Sequence, residues 1–471
     1  MKGENCVFGI IGLGTMGRSL LLNMADHNFN VSGLDKDAAK ASLLESESKK
    51  DNVKGVTDAK SFVASLKKPR AIMMLVPAGK IVDDVIQELT PLLDKGDLII
   101  DGGNSHFTDT NRRVDELKKK DLHFFGMGIS GGEEGARKGP SMMPGGDPEA
   151  YKVVQPIFEA VAAKVNGDPC VTYIGPGASG HFVKMVHNGV EYGIMQLLAE
   201  TYELMKKGLS LSDDKMHATF KQWNEGRLQS FLVEITRDIF AFREKGSDHL
   251  LLDDIKDEAR AKGTGKWTSQ AAMDLQTPLS VIDTSVSMRD LSKYKALRVK
   301  ASELYGKGNT KIAGATDDFL GSLESALYFS TIIAYAQGMH MLSLASKEFG
   351  YDLKIDRIAQ IWRGGCIIRS TFLEDIYQAF KKDSTLPHLL LDKGIQQKVS
   401  ALLPGVRTTL TAAINAGIAV PCYASALSYF DAFTSARMPS NLIQAQRDYF
   451  GAHTYELIGK EGTFHTQWFA K

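Results

Sequence analysis

Residues 12–17 read GLGTMG, directly after the apolar run VFGIIG (7–12) and directly before RSLLLNMADHNF (18–29). A strand that ends in GxGxxG and passes into a helix uses its glycines for a tight turn, close approach of backbone to a pyrophosphate, and tight helix–strand packing. The helix N-terminus then offers aligned N–H groups to an anion. The next β-like run ends in GLDKD (33–37), which places the carboxylate of Asp35 where an adenosine ribose would meet it. Strand, turn, helix and acidic residue together predict a dinucleotide-binding unit, with Gly12, Leu13, Gly14, Thr15, Met16, Gly17 and Asp35 at the cofactor. A carboxylate at Asp35 favours a free 2′-hydroxyl and therefore NAD, whereas the adjacent Lys36 suits a 2′-phosphate.

The same alternation continues through about residue 175, with β-like runs at 31–35, 71–77, 98–104 and 122–130 separated by helical stretches. That order predicts a parallel sheet covered by helices, with ligand contacts beyond the carboxyl ends of the strands. YIGPGASG (173–180) breaks the pattern, and the chain turns helical from about residue 180. FKQWNEGRLQSFLVEI (220–235) resembles IAQIWRGGCIIRSTFLEDI (358–376), and a long apolar helix precedes each, which predicts an internally duplicated helical unit. The aromatic and polar stretch 439–471 reads as a tail that is frayed or packed on another surface. The expected organisation is an α/β Rossmann-like domain (1–178), an all-helical domain (179–434) and a C-terminal tail (435–471).

Lys and Arg number 56, as do Asp and Glu, and this balance argues against a nucleic-acid partner. Cys6, Cys170, Cys366 and Cys422 are scattered with no metal-ligand spacing, as small buried hydrophobes in a reducing compartment would be. The sequence shows no apolar run near the roughly 20 residues that span a bilayer, and its start suits a strand better than a signal peptide. A cytoplasmic protein is expected.

One further stretch, KMVHNGVEYG (184–193), carries a lysine, a histidine, an amide, a glutamate and a tyrosine within nine positions. At about 100° per residue, Lys184, His187, Asn188, Glu191 and Tyr192 share one arc of a helix. Met195, Leu198 and Ala199 continue that arc, so the polar face is short and the helix is otherwise apolar, as a buried helix would be. The break between the two predicted domains lies just upstream, a common place for a ligand. A desolvated lysine shifts its pKa toward neutrality and suits a general base, and Glu191 on the same face suits an acid. At i and i+7 their backbones are about 10 Å apart along the axis, far enough to bracket a small substrate.

DGGNS (101–105), SGGEEGARKGPSMMPGG (130–146), GHFVKMVHNGVEYG (180–193), KGTGKWT (262–268), RGGCIIRS (363–370) and LIQAQRDYFGAHTYE (442–456), with GLGTMG, resemble the decarboxylating 6-phosphogluconate dehydrogenase family nearly end to end. The resemblance implies oxidation of 6-phosphogluconate at C3, loss of CO2 and release of ribulose 5-phosphate in the pentose phosphate pathway, without a metal. It implies Lys184 as the base at the 3-hydroxyl and Glu191 as the acid toward C1. Asn104, Ser130, Gly131 and Gly132 would meet the substrate and nicotinamide, and His187 and Asn188 the sugar hydroxyls. Tyr192, Lys262 and Arg289 would hold the phosphate, with Lys266 as an alternative to Lys262. Arg447 and His453 would reach that phosphate from a partner's tail, which makes a homodimer the expected unit.

Two stretches depart from the family pattern. Asp35-Lys36-Asp37 stands where the family has Asn-Arg-Thr, and Val76-Pro77-Ala78 where it has Val-Lys-Ala. The first replaces the arginine by a lysine between two carboxylates and the second loses a cation near the cofactor, which leads to an expected relaxed or NAD-leaning preference against a family default of NADP. The competing readings are a β-hydroxyacid dehydrogenase of the 3-hydroxyisobutyrate type, which shares the G-x-x-x-K-x-x-x-N spacing of Gly180–Asn188, and a dinucleotide sensor without turnover.

Overall fold

The computed structural model describes residues 5–244, 249–306, 308, 310–314 and 316–469. Seven strands, β1 (Phe8–Ile11), β2 (Val31–Leu34), β3 (Val53–Val56), β4 (Ala71–Met74), β5 (Leu98–Asp101), β6 (His123–Ser130) and β7 (Ser141–Gly145), form one sheet in the order β3-β2-β1-β4-β5-β6-β7. β1 to β6 run parallel, and β7 closes the sheet antiparallel to β6. β1, β2, β4 and β5 are buried along their whole length because helices cover both faces, which is why they read as continuous apolar runs. The order reverses between β1 and β4, so the crevice for a dinucleotide opens beyond their carboxyl ends.

The five expected strands are present, but β3 and β7 escaped the sequence reading. β3 is a four-residue edge strand, VKGV, with little apolar signal. β7 is SMMPG, whose Pro144 argues against a strand; the sheet tolerates it at an edge.

From Ser179 the chain is helical. A 25-residue central helix, Ser179–Glu203, packs its first turns on β6 and β7. Such close packing needs bare backbone on both sides. A Cβ on Gly128 would sit 2.3 Å from Lys184 Cβ, and one on Gly180 would sit 2.3 Å from Met143 O and 2.4 Å from Gly126 O. Phe182, fully buried on the same turn, meets Phe107, Phe349 and Tyr351 edge-on or tilted. Burying one such ring contributes about 1.5–3 kcal/mol, so this aromatic knot helps join the sheet domain to the helices.

The duplicated motifs meet. Phe231 N donates to Arg369 O (3.0 Å) and Thr371 N donates to Gln229 O (3.1 Å), a reciprocal pair around the Ser230–Ser370 bridge. Each motif follows the same succession: a long helix (Ser179–Glu203; Thr316–Glu348), a helix ending near a buried tryptophan (Asp213–Asn224; Ile355–Trp362), then a third helix (Phe231–Ala241; Phe372–Lys382). Order and pairing together mark a duplicated unit folded about a local pseudo-twofold. Thr316–Glu348 is long and apolar enough to cross a bilayer, which the sequence reading did not register, but 78% of its most apolar window is buried within the protein.

The tail is ordered around one carboxylate. After the helix Ser440–Gly451 the chain forms a short ribbon, Tyr455–Glu456 against Thr463–Phe464. Buried Asp448 accepts hydrogen bonds from Thr454 N (3.0 Å), His465 Nδ1 (2.9 Å), Thr466 N (3.0 Å) and Trp468 Nε1 (2.8 Å). Against desolvation, which raises it, these bonds hold the Asp448 carboxyl at about 2. The knot is therefore complete at neutral pH and weakens as pH falls from the usual aspartate range toward 2. Asp448→Ala is expected to speed amide exchange at Thr454 and Thr466 while leaving exchange in the sheet unchanged, as read by hydrogen–deuterium exchange.

Candidate active site

The central helix brings the expected polar cluster together in the interior. Lys184 is 6% exposed and His187 0%, although both stand on a face that also carries Glu191 and Asn188. His187 Nδ1 lies 3.1 Å from Asn188 Oδ1, 3.4 Å from Lys184 Nζ and 3.9 Å from Glu191 Oε2. His187 Nε2 lies 3.3 Å from Ser130 Oγ, which also accepts from Ile367 N (3.3 Å). Base and acid candidates thus converge on one imidazole nitrogen, closer than their backbone spacing suggests, because the Glu191 side chain leans back toward the helix N-terminus.

Burial is the largest influence on all three titratable groups. It pulls the Lys184 pKa down, with Glu191 opposing only in part. It pushes Glu191 up against the pull of Lys184 and Arg289. It takes His187 well below its ordinary value, and the neighbouring Lys184 adds to the drop. The cluster therefore holds a weakened ammonium, a neutral imidazole that positions it, and a carboxyl inclined to keep its proton. Such a pair is able to move protons in both directions at one centre.

One turn further on, Tyr192 is clamped on two sides. The Arg289 guanidinium carbon lies 3.6 Å from the ring centroid, and a Cβ on Gly265 would come within 2.4 Å of the ring. The helix Thr264–Asp274 is fastened there by Thr268 Oγ1, which donates to Met185 O (2.8 Å). Its N-cap, Gly263, sits at φ +102° with no side-chain cap, so its first N–H groups remain free for an anion. Lys262 precedes this cap and Lys266 lies in the first turn, both exposed. Neither lysine nor Arg289 has an ion-pair partner among the described residues, and an uncompensated cationic corner of this kind suits a phosphate. Met195 does not seal the end of the polar arc as expected; it is exposed and touches Arg289 Nη2 through sulfur (3.9 Å).

The sheet supplies the opposite wall. Asp101 at the end of β5 accepts from Ser105 Oγ (2.6 Å), Arg113 Nη1 (3.3 Å) and Gly103 N (3.0 Å), which fixes the loop that presents exposed Asn104. His181 Nδ1 contacts Thr110 Oγ1 (2.7 Å), and His106 lies edge-on to Trp267 (5.1 Å), so this loop is tied to two helices. Gly131 (φ +127°) and Gly132 (φ +63°) continue from Ser130 in a conformation open to glycine, and a Cβ on Gly131 would sit 2.6 Å from Gly365 O. The sequence reading missed Asp101, Arg113, His181, Trp267 and Ile367 as supports. Each acts through burial or through a long-range contact; the motifs DGGNS, GHFVKMVHNGVEYG, KGTGKWT and RGGCIIRS contain Asp101, His181, Trp267 and Ile367 but say nothing of their partners.

At the switch point, Gly12 (φ +95°) and Gly17 pack against Leu75 O and Gly12 O, at 2.5 Å and 1.9 Å from where a Cβ would be, while Gly14 faces open space. That opening lets a pyrophosphate approach the uncapped start of the helix Thr15–Asp26, so the residues fit a dinucleotide. Leu13 is buried, Thr15 and Met16 are at the turn surface, and Val76, Pro77 and Ala78 follow β4 across the crevice. Asp35 Oδ2 accepts from Leu13 N (2.9 Å) and its Oδ1 from Asp37 N (3.0 Å). Asp37 caps the next helix, its carboxylate accepting from Ala39 N (3.0 Å).

Two family models match the chain: the NAD binding domain of 6-phosphogluconate dehydrogenase over residues 7–175, and the 6-phosphogluconate dehydrogenase C-terminal domain over 180–468. The chain belongs to the 6-phosphogluconate dehydrogenase family. The Bacillus subtilis NADP(+)-dependent, decarboxylating 6-phosphogluconate dehydrogenase is 48% identical over 98% of each chain. The human decarboxylating enzyme is 48% identical over 98% of this chain and 96% of its own. A Plasmodium falciparum 6-phosphogluconate dehydrogenase, solved in its apo form, with NADP+ and with 6-phosphogluconate, superposes with a TM-score of 0.95 at 42% identity, covering 98% of this chain and all of that one.

Gly265→Ala tests the clamp within this 6-phosphogluconate dehydrogenase fold. Its methyl collides with the Tyr192 ring, so a loss of about 1–3 kcal/mol is expected from equilibrium urea unfolding.

Proposed function

We propose that this chain oxidises 6-phosphogluconate at C3 and decarboxylates it to ribulose 5-phosphate and CO2. The observation that supports this most directly is the buried Lys184–His187–Glu191 cluster placed between the dinucleotide crevice and the cationic corner at Tyr192. The nicotinamide ring, when bound, supplies the hydride acceptor for the C3 hydrogen. Gly12 to Gly17, Asp35 to Asp37, Val76 to Ala78 and Asn104 would hold that cofactor; NADP is the one named for the relatives.

Lys184, its pKa lowered by burial, takes the 3-hydroxyl proton in its unprotonated form as C3 is oxidised. His187 and Asn188 hold the lysine in place and face the sugar hydroxyls. The resulting 3-ketone lies β to the carboxylate, so the C1–C2 bond breaks with its electron pair flowing toward the carbonyl, and CO2 leaves. The Lys184 ammonium offsets the charge that collects on the C3 oxygen. Glu191, its pKa raised by burial, delivers a proton to the former C2, which becomes C1 of the product. Tyr192, Lys262 and Arg289 anchor the phosphate, while Ser130, Gly131 and Gly132 bound the carboxylate end.

The working unit in this proposal is a cytoplasmic homodimer, with the chain divided at 178/179 and 434/435. No hydrogen bond, ion pair or ring contact joins Arg447 or His453 to the central-helix cluster among the described residues. The tail also exposes Leu442, Ile443, Phe450 and Ile458, an apolar surface suited to a second copy whose phosphate corner Arg447 and His453 would complete.

Incubation with 6-phosphogluconate should yield reduced nicotinamide and CO2 in equal amounts; reduction without CO2 would favour a simple hydroxyacid dehydrogenase. Lys184→Met and Glu191→Gln are each expected to lower turnover by about 10²–10⁴-fold. Turnover needs Lys184 unprotonated, a state lost as pH falls, and Glu191 protonated, a state lost as pH rises. The pH profile of kcat/KM should therefore be bell-shaped, its limbs belonging to the coupled pair. Residual activity of Glu191→Gln should show a single limb.

A further inference from the structure

Cofactor selection rests on the catalytic reading above and turns on the far end of the crevice. A cleft of about 340 Å³ lies between the ends of β1 and β2 and the helix Lys80–Leu89, with apolar walls that include Ile11, Leu34, Val76 and Ile81. The ionic groups lining it are three carboxylates, Asp35, Asp84 and Glu88, against one ammonium, Lys36. Asp35 is fixed at the end of β2: one oxygen accepts from the glycine-turn amide of Leu13 and the other from the amide of Asp37. Oδ1 keeps a lone pair for a further donor, while Oδ2 also accepts from Lys40 Nζ. Lys36, the cation best placed to meet an added phosphate, instead reaches Glu88 Oε2 (3.3 Å), and Lys40 lies 3.5 Å from Asp35 Oδ2. Asp84 is met by Lys80.

A ribose 2′-hydroxyl can donate to Asp35. A 2′-phosphate has no proton to donate at neutral pH and brings close to two negative charges beside carboxylates that already engage Lys36, Lys40 and Lys80. We propose that this chain takes NAD as its working cofactor, with Asp35 selecting the 2′-hydroxyl and Glu88 withholding Lys36 from a 2′-phosphate.

The test is calorimetric titration of the full-length protein with NAD+ and with NADP+, without substrate. NAD+ should bind about ten-fold tighter or more. Higher salt should narrow that gap, because screening weakens the repulsion. Glu88→Gln, at a half-exposed position on the helix Lys80–Leu89, frees Lys36; it should tighten NADP+ several-fold and leave NAD+ unchanged. Asp35→Asn should weaken NAD+, with the sheet's thermal unfolding recorded to separate this from damage to the turn. Tighter binding of NADP+ by the wild type would overturn the proposal, and an unaltered ratio in Glu88→Gln would overturn the part given to Glu88. Turnover of 6-phosphogluconate with each cofactor separates the two readings. Loss of turnover with both counts against the catalytic assignment alone, whereas turnover that strongly favours NADP+ counts against NAD selection alone.

Discussion

An ammonium group is held out of water only where its surroundings leave it no alternative and neighbouring groups share the cost of desolvation. Lys184 occupies such a place because the helix that carries it lies directly on β6, with Gly126, Gly128 and Gly180 removing every side chain that would keep backbone from backbone. That contact sets the depth of the whole polar cluster. It depresses the lysine, raises the glutamate and keeps His187 neutral, all from one cause. Larger residues at these glycines would lift the helix, return the lysine toward water and favour its protonated form at neutral pH.

The same helix organises the second half of the chain. Because the duplicated units pair around Ser230 and Ser370, the turn 363–370 of the second unit returns to the first. There Ile367 N reaches Ser130 Oγ and Gly365 O lies under Gly131. The second unit carries no lysine–glutamate face of its own on Thr316–Glu348; its contribution is the wall behind the site. At the opposite end, the knot around Asp448 gives the tail its shape through contacts within the tail itself.

Much of this was legible beforehand, and for identifiable reasons. The glycine turn, the five inner strands and the amphipathic break on the central helix are local patterns whose periods survive in the chain. β3 and β7 were not legible, because short edge strands with glycine or proline carry little periodic signal. His181, Arg113, Asp101 and Trp267 were equally silent: a single polar or aromatic residue shows nothing about its partner until the chain folds. The likeness of the two Trp-containing segments predicted duplication but not that they would face each other.

The sequence by itself determined that a dinucleotide unit is followed by a helical one, and that a lysine, a histidine and a glutamate share a helical face, since both follow from spacing along the chain. It also determined the carboxylate at Asp35. Only the tertiary structure decided how deep that face is buried, and hence the lowering of the Lys184 pKa and the raising of the Glu191 pKa, because desolvation depends on neighbours distant in sequence. It likewise decided the direction of Lys36. Beside Asp35 in the chain, that lysine was open to a phosphate; in the fold, Glu88 from the helix beyond β4 stands 3.3 Å from it.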